Sequence, residues 1–249
     1  MKIVEATWEM RNLGKKTIEI TIEKDDVSPF IKNQLLKNIE DQIQKYEAEY
    51  VVIKSSTRYS QLIFHLQEAG FTLVENQISL KLIREDAIAA YEEYKELFKG
   101  VDYKIADKND IDLIADEIKK GIFVTDRIAI DPYFGVEIAN KRYANWFQDV
   151  IDNGAVATLS YYQGRIFGFG VSKLIKSDRI QGIIGGIFLG SENKNLGSFS
   201  AFSGLKHFVE RGWKREDTCV SSNNTDVLQL HLMFNKKITD IKNVFIKHY

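Results

Sequence analysis

Segments with the two-residue period of a strand alternate with segments of helical period along almost the whole chain. Residues 17–23 alternate polar with apolar side chains, as a half-buried strand does. Ser28 and Pro29 then favour a helix start, as N-cap and first helical residue, and apolar residues recur at helical spacing up to residue 49. This alternation predicts an α/β protein in which helices pack on a mixed sheet.

The first hundred residues continue this alternation. We predict a buried strand at 50–54, a helix at 57–69 that ends before Gly70, and a strand at 71–83, in the order β-α-β-α-β. Residues 85–100 are charged and lack Pro, Ser and interior Gly, which favours a connecting helix over a flexible linker. A boundary near Gly100 therefore divides the chain into the predicted domains 1–99 and 100–249.

The second half is predicted to have the order β-α-α-β-β-β-α-β-α-β-β. Its predicted elements are strand 103–105, helices 107–121 and 135–152, strands 156–162, 165–176 and 179–189, helix 198–212, buried strand 218–221, helix 226–234, and two final strands through Ile241 and Phe245. Gln163 and Gly164 are typical of a hairpin turn. The polar loop 190–197 leads into a helix, whose free backbone N–H groups and positive dipole end favour a phosphate group.

Charge and cysteine content exclude several classes of function. Acidic and basic residues are interspersed and the net charge is -1, so we expect no nucleic acid and no membrane as partners. Cys219 is the only cysteine, which excludes an intrachain disulfide. No two of the four histidines have metal-ligand spacing, so we predict no metal. The first residues lack the apolar core of a signal peptide, and a cytoplasmic protein is expected.

The element order and the loop at 190–197 resemble those of the GNAT superfamily of acyl-CoA-dependent N-acyltransferases. The superfamily's pyrophosphate-binding motif, Q/R-x-x-G-x-G/A, aligns with residues 192–197 when Gly212 marks the helix end. Glu192 stands where the motif has Gln or Arg. Asn195 replaces its first glycine, and Asn tolerates the left-handed conformation. The resemblance implies acetyl-CoA as acyl donor, and a GNAT acyltransferase fold preceded by an incomplete GNAT-like α/β half-domain.

Residues 220–236 resemble the end of the superfamily's fifth strand and the helix after it, N-x-x-A-x-x-L-Y-x-x-x-G-F. Asn224 and Leu230 match, Asn235 stands in for the glycine, His231 for the tyrosine and Lys236 for the phenylalanine. The resemblance implies that His231 gives a proton to the departing CoA thiolate and that Asn224 takes part in catalysis. From the residues alone, His231 is equally well a packed histidine with one hydrogen bond.

The resemblance also implies where the acyl donor binds. Its cofactor-binding residues are Ile187, Phe188, Leu189, Lys194, Asn195, Leu196, Gly197, Ser198, Phe199, Asn223 and Asn224. Asn223 and Asn224 are equally well plain caps of the next helix. Direct attack in a ternary complex is expected, because Cys219 lies in a predicted buried strand and no activated nucleophile is visible.

Residues 125–132, followed by Tyr143 and Trp146, resemble the T/S-R-F-x-x-D-P…Y-x-x-W segment of sugar-nucleotide acetyltransferases of the dTDP-fucosamine acetyltransferase type. Those enzymes also have an N-terminal half-domain, which residues 68–75 resemble. The resemblance implies an amino sugar nucleotide as acceptor. Its site residues are Arg127 for a phosphate group, Asp131 as the catalytic base, and Tyr133 and Glu137 for substrate binding. From the residues alone, Arg127 equally well forms an ion pair with Asp126 or Asp131. Asp131 and Glu137 are acidic residues of a kind that is more often a solvated surface charge than a catalytic group.

The predicted partner is a small-molecule amine, and the sequence leaves a homodimer open. Two other interpretations of function remain. One is a GNAT enzyme for another small amine, such as an amino acid, a polyamine or an antibiotic. The other is a degenerate GNAT domain that acts only as an interaction module, which the departures at Glu192, Asn195 and His231 keep open.

Overall fold

The computed structural model describes residues 1–27 and 32–249, which form two compact units. One consists of Met1–Ile78 with Asp240–Tyr249, and the other of Ser79–Thr239. These units do not coincide with the predicted domains 1–99 and 100–249. The difference arises because the helix after residue 83 packs into the core of the second unit, while the end of the chain pairs with a strand of the first.

The first unit packs helices on a mixed sheet. Its elements are β1 (Lys2–Glu5), α1 (Thr7–Leu13), β2 (Thr17–Ile22), α2 (Lys32–Tyr46), β3 (Tyr50–Ser56), α3 (Ser60–Glu68), the first part of β4 (Thr72–Ile83) and most of β10 (Lys237–His248). The strands lie in the order β1-β2-β3-β10-β4. β2 and β3 are parallel and pair over their whole length, from Thr17↔Tyr50 to Ile22↔Ser55. Ile20 and Ile53 lie in the core of this unit with Leu66.

The second unit contains a longer mixed sheet with helices. Its elements are α4 (Arg84–Tyr94), β5 (Val101–Ile105), α5 (Lys108–Lys119), α6 (Arg127–Ile130), α7 (Gly135–Asp152), β6 (Val156–Tyr162), β7 (Arg165–Lys176), β8 (Arg179–Ile187), α8 (Gly197–Glu210), β9 (Arg215–Ser221) and α9 (Thr225–Met233). The strands lie in the order β4-β9-β8-β7-β6-β5. From β5 to β8 each strand is antiparallel to the next, and β8 is parallel to β9. The predicted α/β class with a mixed sheet is confirmed.

Aromatic side chains fill the core of the second unit. Phe98 stacks on Phe202 with ring centroids 4.9 Å apart, in a cluster that joins α4, α8 and the end of α9. Phe147 and Phe169 belong to another cluster, which joins α5 and α7 to the sheet. Burying a phenylalanine side chain stabilises a fold by about 2–3 kcal/mol. These rings therefore hold α8 firmly against the sheet.

Left-handed residues set the ends of several elements. Gln163 and Gly164 have φ values of +51° and +79°, as the predicted hairpin turn between β6 and β7 requires. Gly212, with φ +71°, follows the end of α8, and Asn235, with φ +61°, follows the end of α9. The prediction that Asn235 takes the place of a helix-ending glycine is confirmed.

The structure corrects two expectations and adds two elements that were not predicted. The two predicted final strands are one strand, β10, which pairs continuously with β3 from Lys242 to His248 instead of closing a hairpin. Residues 237–248 contain no Gly or Pro to break the strand. β9 is only partly buried, and Cys219 is exposed because the strand alternation turns Val220 inward. β1 and α1 were not predicted, and the predicted helix start at Ser28 and Pro29 lies outside the described residues.

Candidate active site

The parallel strands β8 and β9 separate soon after they begin to pair. Within the described chain their ladder consists of Arg179↔Arg215, Ile180↔Glu216 and Gln181↔Asp217. Residues 184–187 of β8 stay paired with β7 on the opposite edge. At about 3.3 Å of rise per residue, residues 183–187 form an edge of roughly 16 Å without a strand partner on the β9 side. A cleft with one backbone-lined wall follows from this separation.

Thr218 ends the ladder between these two strands. Its hydroxyl donates to the carbonyl oxygen of Gly182 at 3.0 Å, so a side chain replaces the next backbone hydrogen bond. Gly182 itself leaves room for two β9 side chains. A Cβ at Gly182 would lie 2.5 Å from Glu216 Oε1 and 3.3 Å from Thr218 Oγ1. The missing side chain at Gly182 thus leaves room for Glu216 and Thr218 at the closed end of the cleft.

The start of α8 lies beside the far end of the unpaired β8 edge. A Cβ at Gly197 would lie 3.2 Å from Leu230 Cδ1 of α9 and 3.8 Å from Ile187 Cδ1 of β8. No described side chain caps the helix, and the first backbone hydrogen bond of α8 runs from Ser200 N–H to Leu196 O. The backbone N–H groups of the first turn are therefore available to an anion, which the helix dipole also favours.

Buried contacts hold the loop before α8. Asn193 is 5% exposed; its amide donates to Phe188 O at 3.0 Å and accepts from Arg165 Nη1 at 3.0 Å. Arg165 also donates to Glu192 O at 3.1 Å and lies 4.0 Å from the Glu192 carboxylate. The negative charge of Glu192 is thereby partly offset. Asn195 has φ +67°, the left-handed conformation expected of a residue that replaces a glycine.

The other predicted cofactor residues divide between core and surface. Phe188 is buried against Phe169, and the Phe199 ring packs on Phe98 at 5.1 Å. Lys194 and Leu189 are exposed. Phe188 and Phe199 can therefore contact a ligand in the cleft through their backbone groups, because their rings pack against other aromatic rings.

The start of α9 has the geometry of a helix cap. Asn224 is the N-cap, and its side chain accepts from Val227 N–H at 3.3 Å. Asn223 is exposed, and its N–H donates to Ser221 Oγ at 3.2 Å. Capping thus accounts for the Asn224 side chain, while its catalytic role stays a prediction.

A cluster of ionisable groups occupies the closed end of the cleft. Lys236 Nζ donates to Glu216 Oε1 at 2.8 Å, and their side chains are 9% and 15% exposed. Burial, and then the positive charge of Lys236, lower the pKa of His231 well below its ordinary value. His231 is therefore a neutral imidazole at physiological pH. Sequence reasoning identified His231 but missed Glu216 and Thr218, because ladder termination leaves no local pattern.

The predicted acceptor segment forms a tight turn into α7. Asp131 is 2% exposed and accepts from Tyr133 N–H at 3.0 Å, which stabilises the turn. Tyr133 is 72% exposed. Asp126 caps α6 by accepting from Ala129 N–H at 2.9 Å, and Arg142 Nη1 lies 3.6 Å from its carboxylate.

A surface cavity of about 290 Å³ lies next to this segment. It is lined by Lys119, Glu137, Asn140, Lys141, Ala144 and Asn145. Of the predicted substrate-binding residues, Glu137 lines this cavity, whereas Arg127 and Tyr133 do not. Glu137 is thus the predicted acceptor residue that this cavity contains.

The described residues contain no group of three or more His, Cys, Asp and Glu side chains that could hold a metal ion. In residues 1–27 and 32–249, no helix is long and apolar enough to cross a membrane.

The structure is similar to solved GNAT structures. It resembles a GCN5-related N-acetyltransferase from Sphaerobacter thermophilus, with a TM-score of 0.62, 9% identity, and 99% of this chain and 75% of that chain covered. A tandem GNAT protein from the clavulanic acid biosynthesis pathway has a TM-score of 0.57 and 9% identity, with 93% and 75% covered. A functionally unknown conserved protein from Staphylococcus epidermidis ATCC 12228 has a TM-score of 0.59 and 14% identity, with 94% and 84% covered.

No family model matches the sequence, and no curated protein matches it. At 9–14% identity, the structural likeness defines the fold alone. The chain has the GNAT fold, as predicted, with a mixed α/β arrangement like that of tandem GNAT proteins. None of the three similar structures is described as a sugar-nucleotide enzyme.

Proposed function

We propose that this protein is an acyl-CoA-dependent N-acyltransferase that moves an acetyl group from acetyl-CoA to a primary amine. The observation that carries the proposal is the separation of β8 and β9 beside the uncapped start of α8. An extended chain with amide groups fits the unpaired edge at 183–187, because strand edges bind such chains through backbone hydrogen bonds. A diphosphate fits the first turn of α8.

The residues present agree with this donor. Gly197 has no side chain, so the backbone of the first turn stays accessible to a diphosphate. Arg165 lies close to the carboxylate of Glu192, which weakens its repulsion of an anion. The exposed Cys219 lies on β9 beside Ser79, with its sulfur 3.6 Å from the hydroxyl. Because no basic group among the described residues contacts this thiol, we keep direct attack by the amine as the proposed route.

For the acceptor we propose an amino sugar nucleotide. This proposal is supported by the sequence of residues 125–132 and by the exposed side chains of Tyr133 and Glu137 next to the turn. Arg127 is the proposed phosphate-binding group, and Asp131 the proposed base. An amino acid, a polyamine or an antibiotic amine is the alternative acceptor.

Calorimetry and a thiol-release screen test both proposals. We expect acetyl-CoA and desulfo-CoA to bind with one site per chain, and a dTDP-amino sugar to release CoA faster than polyamines or amino acids do. Failure to bind either CoA compound would indicate a non-catalytic module. Comparable turnover of a simple polyamine would exclude the sugar-nucleotide acceptor while keeping the transferase.

A further inference from the structure

Lys236 brings an ammonium group to the closed end of the cleft. Asn235, with φ +61°, reverses the chain after α9, and Lys236 N–H donates to His231 O at 3.0 Å. The Lys236 side chain then donates to Glu216 Oε1, which lies over Gly182. Glu216 therefore holds the ammonium beside the point where β8 and β9 part.

The acyl donor, if it binds as proposed, has its reactive end at the same place. Its diphosphate is assigned to the start of α8, near Ile187, and its extended arm to the edge that runs back from residue 187 to 183. The thioester consequently comes to the closed end, next to Gly182. Thr218 and Glu216 of β9 face this end, Lys236 is bonded to Glu216, and the charge of Lys236 acts on His231 of α9.

The thiolate that leaves the thioester is a strong base and requires a proton. Neutral His231 does not carry an imidazolium proton, because burial and Lys236 both oppose its charge. Lysine ammonium groups in general remain charged at neutral pH and are competent proton donors. An arginine guanidinium in the same position keeps the charge but does not release its proton.

We propose that Lys236 is the catalytic acid of the acyl transfer and that Glu216 is its positioning residue, an inference that rests on the proposed function. The acceptor nitrogen forms a bond to the carbonyl carbon, and the C–S bond breaks. The sulfur takes a proton from Lys236 Nζ. The acceptor nitrogen loses one proton to Asp131, the proposed base, and Lys236 regains one proton through water, so the transfer is balanced.

The competing explanation is that the ion pair of Lys236 with Glu216 is only structural. Substitution of Lys236 by arginine distinguishes the two explanations. Lys236→Arg keeps the charge and the hydrogen bond to Glu216 but removes the acid. Lys236→Ala removes both. Lys237→Ala is the matched control, because the neighbouring lysine also forms an ion pair, with Asp86 at 2.6 Å, but is 62% exposed.

The assay uses acetyl-CoA with hydroxylamine as a simple amine acceptor, and it measures free thiol and acetohydroxamate after subtraction of the uncatalysed rate. We expect Lys236→Arg and Lys236→Ala to lower kcat by roughly 10²-fold or more, the usual contribution of a general acid. Calorimetry should show that acetyl-CoA binds to Lys236→Arg with little change in Kd. Lys237→Ala should behave like the wild type.

Rescue provides a second readout. Trimethylammonium carries a transferable proton but cannot be acetylated, so it should restore thiol release to Lys236→Ala and have no effect on Lys236→Arg. Wild-type-like kcat of Lys236→Arg, with or without rescue of the alanine variant, would show that the ion pair is only structural and would overturn the inference. A wild-type chain that binds no acetyl-CoA would overturn the proposed function and the inference together.

Discussion

The hydroxyl of Thr218 donates to the carbonyl oxygen of Gly182 at 3.0 Å, one residue beyond the last paired residues of β8 and β9. The Thr218 side chain therefore ends the parallel pairing of β8 and β9. The parallel strands β2 and β3 of the first unit, in contrast, stay paired over six residue pairs. The contrast explains why we assign the cleft to the second unit. A ladder closed along its whole length leaves no free edge for an extended ligand.

Replacing Thr218 by valine tests this arrangement. Valine has the same shape but no hydroxyl, so Gly182 O loses its hydrogen bond, at a cost of about 1–3 kcal/mol in the free energy of unfolding if the carbonyl stays unsatisfied. We expect urea unfolding to show this loss and calorimetry to show weaker acetyl-CoA binding. Thr218→Ser keeps the hydroxyl and should behave like the wild type. Equal Kd values for all three proteins would mean that the hydroxyl does not shape the cleft.

A carboxylate at the first turn of α8 should repel the diphosphate. Gly197→Glu is expected to weaken acetyl-CoA binding by about 1.4 kcal/mol or more, a tenfold change in Kd. Gly197→Ala is the control, because it introduces the same Cβ, 3.2 Å from Leu230 Cδ1, without the charge. If the folded Gly197→Glu variant binds acetyl-CoA as tightly as Gly197→Ala does, the loop is not part of the donor site.

Gly204 provides a prediction on stability alone. It lies inside α8, is exposed, and a Cβ there would meet no atom within 4 Å. Alanine should therefore stabilise the helix by about 0.5–1 kcal/mol, since glycine loses more backbone entropy on folding. Urea unfolding measures the gain, and acetyl-CoA affinity should not change. A loss of stability would indicate that the helix is packed differently at this position.

His207 should make the second unit sensitive to acid. Burial, and then the charge of Arg211, lower the pKa of His207 to about 4, so the folded form binds fewer protons than the unfolded chain between pH 6.5 and 4. Stability from this group is present above pH 6.5 and is lost as the pH falls through this window. Unfolding midpoints at pH 7.5 and 4.5 should differ less in His207→Gln than in the wild type. An equal difference would mean that other groups cause the acid sensitivity.

Strongly periodic segments were predictable with their bounds. Helix 135–152 and strands 156–162 and 165–176 have the predicted limits, because each carries a clear period between strong turn residues. The left-handed conformations of Asn195 and Asn235 were also predictable, since few residues other than asparagine replace glycine in that conformation.

Features that depend on distant partners were not predictable. Strand β10 looks like two short strands in sequence, and its continuity depends on pairing with β3, almost two hundred residues earlier. The contact of Arg165 with Asn193 and that of Lys236 with Glu216 join separate elements in the same way. Helix and strand periods carry no information about such pairs, so sequence reasoning reached the cleft but not the charges at its closed end.

His231 gives the last prediction, since the sequence and the structure assign it different roles. The motif position predicts an acid, but burial and Lys236 lower the pKa of His231 well below its ordinary value, so the imidazole is neutral at physiological pH. We therefore expect kcat to show no decline near pH 6.5 that depends on His231.

His231→Gln keeps a polar side chain without a titrating group, and its pH–rate profile should superimpose on that of the wild type. His231→Tyr introduces the phenol of the GNAT motif and would raise kcat only if the phenol reaches the sulfur. The measurement is thiol release from acetyl-CoA between pH 5.5 and 9 for the three proteins, at about the same ionic strength so that surface charges are equally screened. A drop of roughly 10²-fold in His231→Gln, on the usual scale for a general acid, would return the acid role to His231 and remove it from Lys236.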